Sequence, residues 1–273
     1  MISGIGRTAG PGVVRIALLL VVIARSARLS AQAAEPDPHT AQPQRPTVAN
    51  HAGTVATGWL EIEAGIELDR YDTDSHGGLA PMLAKIGLAP RVQLELQAPL
   101  VWVPEGGGTG VGDFSAGVKF RVADDAPIVG DLAILPSIKM PTGSIDVGTG
   151  TGTTDVAVLI ISTREFGPVT LAVNAGYTHR SGDGTRAPRY ATVWTASFSG
   201  PVHGRLGWGA ELYGYPATPG PAGGDSIVAI LAGPTITLQK WLVVDFGVIE
   251  PISGPQPHAF LAGLTYNVGR LWK

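Results

Sequence analysis

The chain has 273 residues, no cysteine, 38 glycines, 22 prolines, 15% charged side chains and a formal net charge of −3. A charged share well below the roughly 25% of soluble domains, with glycine at about twice its usual share, points to many strands and tight turns with little solvated surface between them. The missing cysteine excludes disulfides, thiolate metal sites, a cysteine nucleophile and a lipid anchor on an amino-terminal cysteine, and the lack of a Lys/Arg run leaves no footprint for nucleic acid.

Residues 1–33 have the layout of a secretory signal peptide: Arg7 and Arg15, an apolar run from Ile16 to Ala24, and small residues ending in Ala31-Gln32-Ala33, with cleavage expected after Ala33 or Ala34. The run is bounded by Arg15 and Arg25 and is too short for a spanning helix. Residues 34–58 are polar and carry Pro36, Pro38, Pro43 and Pro46, a density that favours an extended, poorly ordered tail. This segment is expected to be a periplasmic lead-in.

From Trp59 the dominant signal has a period of two. Leu60, Ile62, Ala64, Ile66 and Leu68 alternate with Glu61, Glu63, Gly65, Glu67 and Asp69, so one face is apolar and the other carries four acids. The pattern recurs over Arg91 to Trp102 and Asp113 to Val122, each close to the length a tilted strand needs to cross hydrocarbon. Weaker versions occupy 79–88, 131–140, 153–163, 169–180, 189–199, 204–215, 226–238, 241–250 and 258–268, which brings the expected number of strands to about 12. The connections alternate between longer ones, such as PTGSIDVGTGTG and YPATPGPAGGD, and shorter ones, such as LAPR and LQK. Aromatic residues fall near strand ends, with Trp59 and Trp241 at one level and Tyr71, Trp102, Tyr177 and Tyr190 at the other. The expected fold is an all-β, transmembrane, antiparallel up-and-down barrel over residues 59–273 in a bacterial outer membrane, surrounded by its lipid. A soluble β-sandwich shares the alternation but not the signal peptide, even strand number and loop asymmetry.

The strand Gly112, Asp113, Gly117, Lys119, Phe120, Arg121 and the strand end Pro141-Thr142-Gly143, before a glycine-rich loop, resemble the outer-membrane transporter family labelled "MetA-pathway of phenol degradation". The stretch Arg45 to Gly65 is similar to that family's opening strand. The resemblance implies an outer-membrane barrel associated with uptake of small organic compounds. One departure is the carboxyl terminus, which runs past Tyr266 and Val268 to Trp272 and Lys273 instead of ending on an aromatic residue.

Strand parity turns Glu61, Glu63, Glu67, Asp69, Lys85, Glu95, Lys119, Arg121, Lys139, Asp155, Arg205, Glu211 and Asp245 toward the lumen. Twelve strands fall between barrels filled by side chains and those holding an aqueous channel, so these charges either line a pore, with the acids of the first strand facing bases on its neighbours, or pair and fill the interior. The expected function is passive passage of small solutes, aromatic or other hydrophobic compounds among them, without enzymatic activity or a cofactor. Oligomeric state is not legible.

Two alternatives compete with transport. Tyr177 to Asp183 contains His179-Arg180-Ser181, similar to the H-x-S element of outer-membrane acylhydrolase barrels, with Asp183 as the orienting group a base would need. A structural or adhesive barrel acting through glycine-rich loops is the other. Asp72 to Gly77 begins like a calcium loop, but its twelfth position is Leu83 where a bidentate Glu is required, and the six histidines lack ligand spacing, so no metal site is expected.

Overall fold

The computed structural model describes residues 37–71, 75–103 and 108–273. The expected signal peptide and the calcium-like residues Asp72 to Asp74 lie outside the described residues. Among the latter there is no helix, and twelve strands form one antiparallel sheet.

The strands are β1 (Trp59–Arg70), β2 (His76–Ala80 and Met82–Ala89), β3 (Val92–Gln97 and Leu100–Trp102), β4 (Thr109–Val111 and Phe114–Ala126), β5 (Gly130–Met140), β6 (Asp155–Phe166), β7 (Val169–Arg180), β8 (Tyr190–His203), β9 (Leu206–Tyr215), β10 (Ile227–Gln239), β11 (Leu242–Ser253) and β12 (His258–Arg270). Each pairs with the next, and β1 pairs with β12 from Trp59↔Arg270 to Arg70↔His258, which closes the barrel. Closure leaves no unpaired edge along the wall, the condition for strands to sit in lipid.

Three neighbouring strands are interrupted at one level: β2 at Pro81, β3 at Ala98-Pro99 and β4 at Gly112-Asp113. Proline has no N–H for the ladder. Cross-strand bonds from Gly65 N to Pro81 O (3.2 Å), Ala98 N to Met82 O (3.1 Å) and Gly112 N to Pro99 O (2.8 Å) carry the pairing past the break.

The connections sort by end. Turns at 90–91, 127–129, 167–168, 204–205 and 240–241 lie at the end that also holds both ends of the barrel chain, and the longer connections, such as 141–154, 181–189 and 216–226, lie at the opposite end. Gly167 (φ 61°) and Gly204 (φ 58°) take left-handed conformations that let these turns close tightly. Outward positions are apolar all round: Ile66, Met82, Phe120, Ile160, Val173, Phe198, Phe246 and Phe260 are exposed, the pattern of a surface built for hydrocarbon. Tyr266 and Val268 also face outward.

The lead-in departs most from expectation. Residues 37–58 do not form a poorly ordered tail; they run through the barrel interior, with Ala41, Gln44, Ala49, Ala52 and Val55 buried. The reason is that the lumen supplies hydrogen-bond partners for a backbone with no strand or helix of its own.

Candidate functional site

The occupied lumen is the candidate site. Its occupant rises from the short-turn end, where His39 Nε2 lies 3.0 Å from Asn267 O and the Asn267 amide donates to Pro38 O (3.1 Å) and Thr40 O (3.2 Å). His39 sits against Trp59 and Trp241, with ring centroids at 5.1 and 6.1 Å, and Trp241 meets Tyr266 edge-on. The chain returns to the same end at Thr57, which bridges to Gly87.

Between these points, wall side chains bind the plug's backbone. Gln42 N donates to Glu61 (2.8 Å), Gln44 N to Glu63 (2.8 Å) and Val55 N to Gln93 (2.7 Å). Glu211 receives Val48 N on one oxygen (2.7 Å) and Ala49 N on the other (2.8 Å). Asn174 accepts from Asn50 N (2.7 Å) and donates to Asn50 O (2.9 Å), and Thr163 accepts from Ala52 N (2.8 Å). A buried peptide group without a partner is costly, so an irregular segment can rest here only because side chains replace the missing ladder.

Two acids of β1, Glu61 and Glu63, meet one base on the neighbouring strand, and a second base meets an acid of β3. Lys85 on β2, fully buried, lies 2.6 Å from Glu61 and 2.5 Å from Glu63 and donates to Gln42 O at 2.6 Å. Lys119 on β4 lies 3.1 Å from Glu95 on β3 and donates to His51 O at 3.2 Å. Register explains the arrangement, since Glu61 is opposite Lys85 and Lys85 opposite Glu95.

Glycines make room for the occupant. Gly65 and Gly263 are directly paired across β1 and β12, and a Cβ on either would collide with the Arg45 guanidinium; a Cβ on Gly87 would strike the Ala56 carbonyl. Arg45 Nε lies 3.4 Å from Asp245, which is 1% exposed. The opposite part of the wall is apolar: Tyr213, Ala229, Leu231, Ile249, Ala259 and Leu261 form a buried cluster against which Val48 packs, and Ala52 joins Ala133, Leu135 and Ile161 in a second.

The remaining expected lumen charges lie nearer the ends. Asp69 is buried and Glu67 half-buried toward the long-loop end. Arg121 pairs with Asp131 (2.7 Å) and Asp124 (2.5 Å) near the short turns. Lys139 joins Asp113 (2.6 Å) and Asp155 (3.4 Å), and Asp155 also meets Arg180 (3.2 Å). Arg205 stands exposed in the turn between β8 and β9, at the mouth of the lumen, because β9 begins at Leu206 and not at 204.

Residues that parity alone missed are the plug's own, above all Gln44, Arg45 and Asn50, and the uncharged Gln93, Thr163, Asn174 and Asn267 that hold it. Inward-facing glycines in long strands were the available signal. The two motif patches meet in space: Asp113 accepts from Gly143 N (3.0 Å) and Thr151 N (3.1 Å), and Thr142 Oγ1 donates to Gly112 O (3.1 Å), which folds loop 141–154 back onto inward-facing Gln97 and Ser115.

Two cavities flank the plug. One of about 370 Å³ opens toward the short turns and is lined by Thr170, Ser197, Ser199, Arg205, Trp208 and Thr235. The other, about 320 Å³, lies toward the long loops beside Glu67, Leu79, Leu83 and Gln97. Gln44, Arg45, Thr47 and Ala49 line both.

The hydrolase constellation is not assembled. His179 lies tilted against Tyr190 on the outer surface (ring centroids 5.2 Å), Ser181 Oγ accepts from Thr154 N (2.9 Å), and Asp183 accepts from Thr185 N (3.0 Å) and Thr185 Oγ1 (2.7 Å). Among the described residues no three His, Asp or Glu side chains are disposed to hold a metal ion.

Solved structures with this fold include the COG4313 outer membrane channel from Pseudomonas putida F1, with TM-score 0.62 and 13% identity over 82% of this chain and 98% of that one. A KdgM porin in complex with disordered oligogalacturonate aligns with TM-score 0.51 and 12% identity over 76% of this chain and 98% of that one. A NanC porin aligns with TM-score 0.51 and 6% identity over 77% and 100%. At such identities the likeness is one of fold. No curated protein matches the sequence. Residues 44–248 match the family described as "Putative MetA-pathway of phenol degradation", a span that starts inside the plug and covers most of the barrel, and the chain belongs to that family.

Proposed function

We propose that the protein is an outer-membrane channel for passive passage of small organic solutes, and that residues 37–58 are its plug. The observation that carries this reading is the thickness of the partition. The same four residues, Gln44, Arg45, Thr47 and Ala49, line the cavities on both sides, so a single length of chain separates them. The wall around it is closed, lipid-facing outside and, over β1 to β4, charged inside, as a conducting barrel requires. The short-turn end, with both ends of the barrel, faces the periplasm, which agrees with export by the amino-terminal 33 residues. The family description supports small aromatic compounds among the solutes, and the hydroxyl-lined inner cavity supports solutes bearing polar groups.

The test is conductance of the detergent-refolded protein in a planar bilayer beside a variant with Glu61, Glu63 and Glu67 replaced by Gln. Discrete channels whose ion selectivity shifts in the variant support a pore walled by these acids. A bilayer that stays sealed for the wild type and for Arg45→Ala, with heat-modifiable gel migration showing a folded barrel, would end the channel reading.

A further inference from the structure

The plug's central side chain is seated in a manner that suggests what passes when the plug is gone. Gly65 and Gly263, paired across β1 and β12, leave a flat strip of backbone on the inner wall, and the planar Arg45 guanidinium lies against it. Asp245 faces the same strip. It is 1% exposed, and both its carboxylate oxygens lack a hydrogen-bond partner although Arg45 Nε is 3.4 Å away. Arg45 Nη2 reaches Ala262 O only at 3.4 Å. A buried carboxylate held by charge attraction without a formed hydrogen bond is an incompletely satisfied acceptor.

The wall around the slot has a strong sign. In the middle of the barrel Glu61, Glu63, Glu95, Glu211 and Asp245 face inward against Lys85 and Lys119. With the plug seated, its N–H groups answer Glu61, Glu63 and Glu211, and Arg45 answers Asp245. With it withdrawn, these carboxylates are left to water and whatever cation enters. The field of such a wall attracts cations and repels anions.

We propose that the slot formed by Asp245, Gly65 and Gly263 is a binding subsite for the guanidinium group of a small translocating cation, and that Arg45 occupies that solute's place while the plug is seated. The proposal rests on the channel reading above. Planar, bidentate donors match a carboxylate beside a flat wall better than a compact ammonium does. Arg45 lines both cavities and belongs to the one-chain partition, so the plug withdrawal that joins the cavities also vacates the slot. Plug and solute then compete for one carboxylate, and the solute that fits the slot favours the open state by its differential affinity for it.

The chain lacks cysteine, so Ala49→Cys places a single reporter thiol in the plug, at a position 3% exposed. Agmatine, a dication with one guanidinium and one ammonium, is expected to raise the rate of thiol labelling in folded protein severalfold, whereas putrescine, which has a second ammonium in place of the guanidinium, leaves it unchanged at equal ionic strength. Asp245→Asn is expected to weaken the agmatine response by roughly tenfold or more, as loss of one member of a close charge pair does. Arg45→Ala is expected to open channels more often and to be blocked by agmatine at lower concentration, because the competing guanidinium is gone. Channels that conduct but ignore agmatine, or that respond equally in Asp245→Asn, overturn the subsite and make Arg45 a plug anchor only, leaving the channel reading intact. A bilayer sealed for both the wild type and Arg45→Ala overturns both.

Discussion

The two sides of the inner wall hold the plug by different means. Strands β1 to β4 grip it through charge, with Lys85 and Lys119 set among Glu61, Glu63 and Glu95 and reaching the carbonyls of Gln42 and His51. Strands β9 to β12 add to the polar contacts of Glu211, Asp245 and Asn267 a hold by shape, through the apolar cluster that receives Val48 and the glycines that admit Arg45 and Pro46. A charge-lined surface can exchange a peptide for water and ions at modest cost, whereas an apolar surface loses its contacts outright when the plug leaves. The charged groups of the wall therefore suit a solute path, and the apolar cluster suits a latch.

The largest expected effect breaks the charged side. Lys85→Ala leaves Glu61 and Glu63 buried without their cation and should lower barrel stability by about 3–5 kcal/mol, read from the midpoint of urea unfolding followed by heat-modifiable migration. An unchanged midpoint would mean that water already screens this cluster. Smaller, and on the latch side, Leu231→Ala removes a side chain 1% exposed from the cluster that receives Val48. It should cost about 2–4 kcal/mol by the same measurement and raise open probability in the bilayer, while a loss of stability with no change in gating would detach the apolar cluster from the plug.

The smallest effect sharpens the comparison through pH. Burial, then the nearby ammonium groups of Lys119 and Lys85 and the Arg121 guanidinium, push the His51 imidazole in the plug down to about 3, while its ring meets Gln42 O at 3.2 Å. A base whose pKa is lowered on seating takes up its proton only when the plug withdraws. Seating is thus at full strength above the ordinary imidazole value near 6.5 and weakens as pH falls toward 3, by at most about tenfold per unit. Open probability should rise between pH 7 and pH 5, and His51→Gln should flatten that rise; an equally steep rise in the variant would move the effect to the wall carboxylates.

The barrel was legible because its signal is local. In Trp59–Arg70 each side chain's facing follows from its neighbour's, so alternation placed Glu61 and Glu63 inside and Ile66 and Leu68 outside without knowledge of any partner strand. Arg205 shows the limit of parity, since one residue of turn decides whether a side chain is on a strand at all. The hydrolase motif failed for the same reason in reverse: His179 and Ser181 are close in sequence, but the strand end sends one ring onto Tyr190 and the other hydroxyl to Thr154.

What the sequence by itself determined is the strand pattern, the two faces of the wall and the family. The tertiary structure alone decided the plug. Residues 37–58 have no periodicity and many prolines, so in isolation they cannot satisfy their own backbone. Their conformation comes from Glu211, Asn174, Thr163 and Gln93, side chains as far as 163 positions away that converge on one axis only after β1 meets β12. Closure, a long-range event, turned a linker-like sequence into the element that divides the lumen.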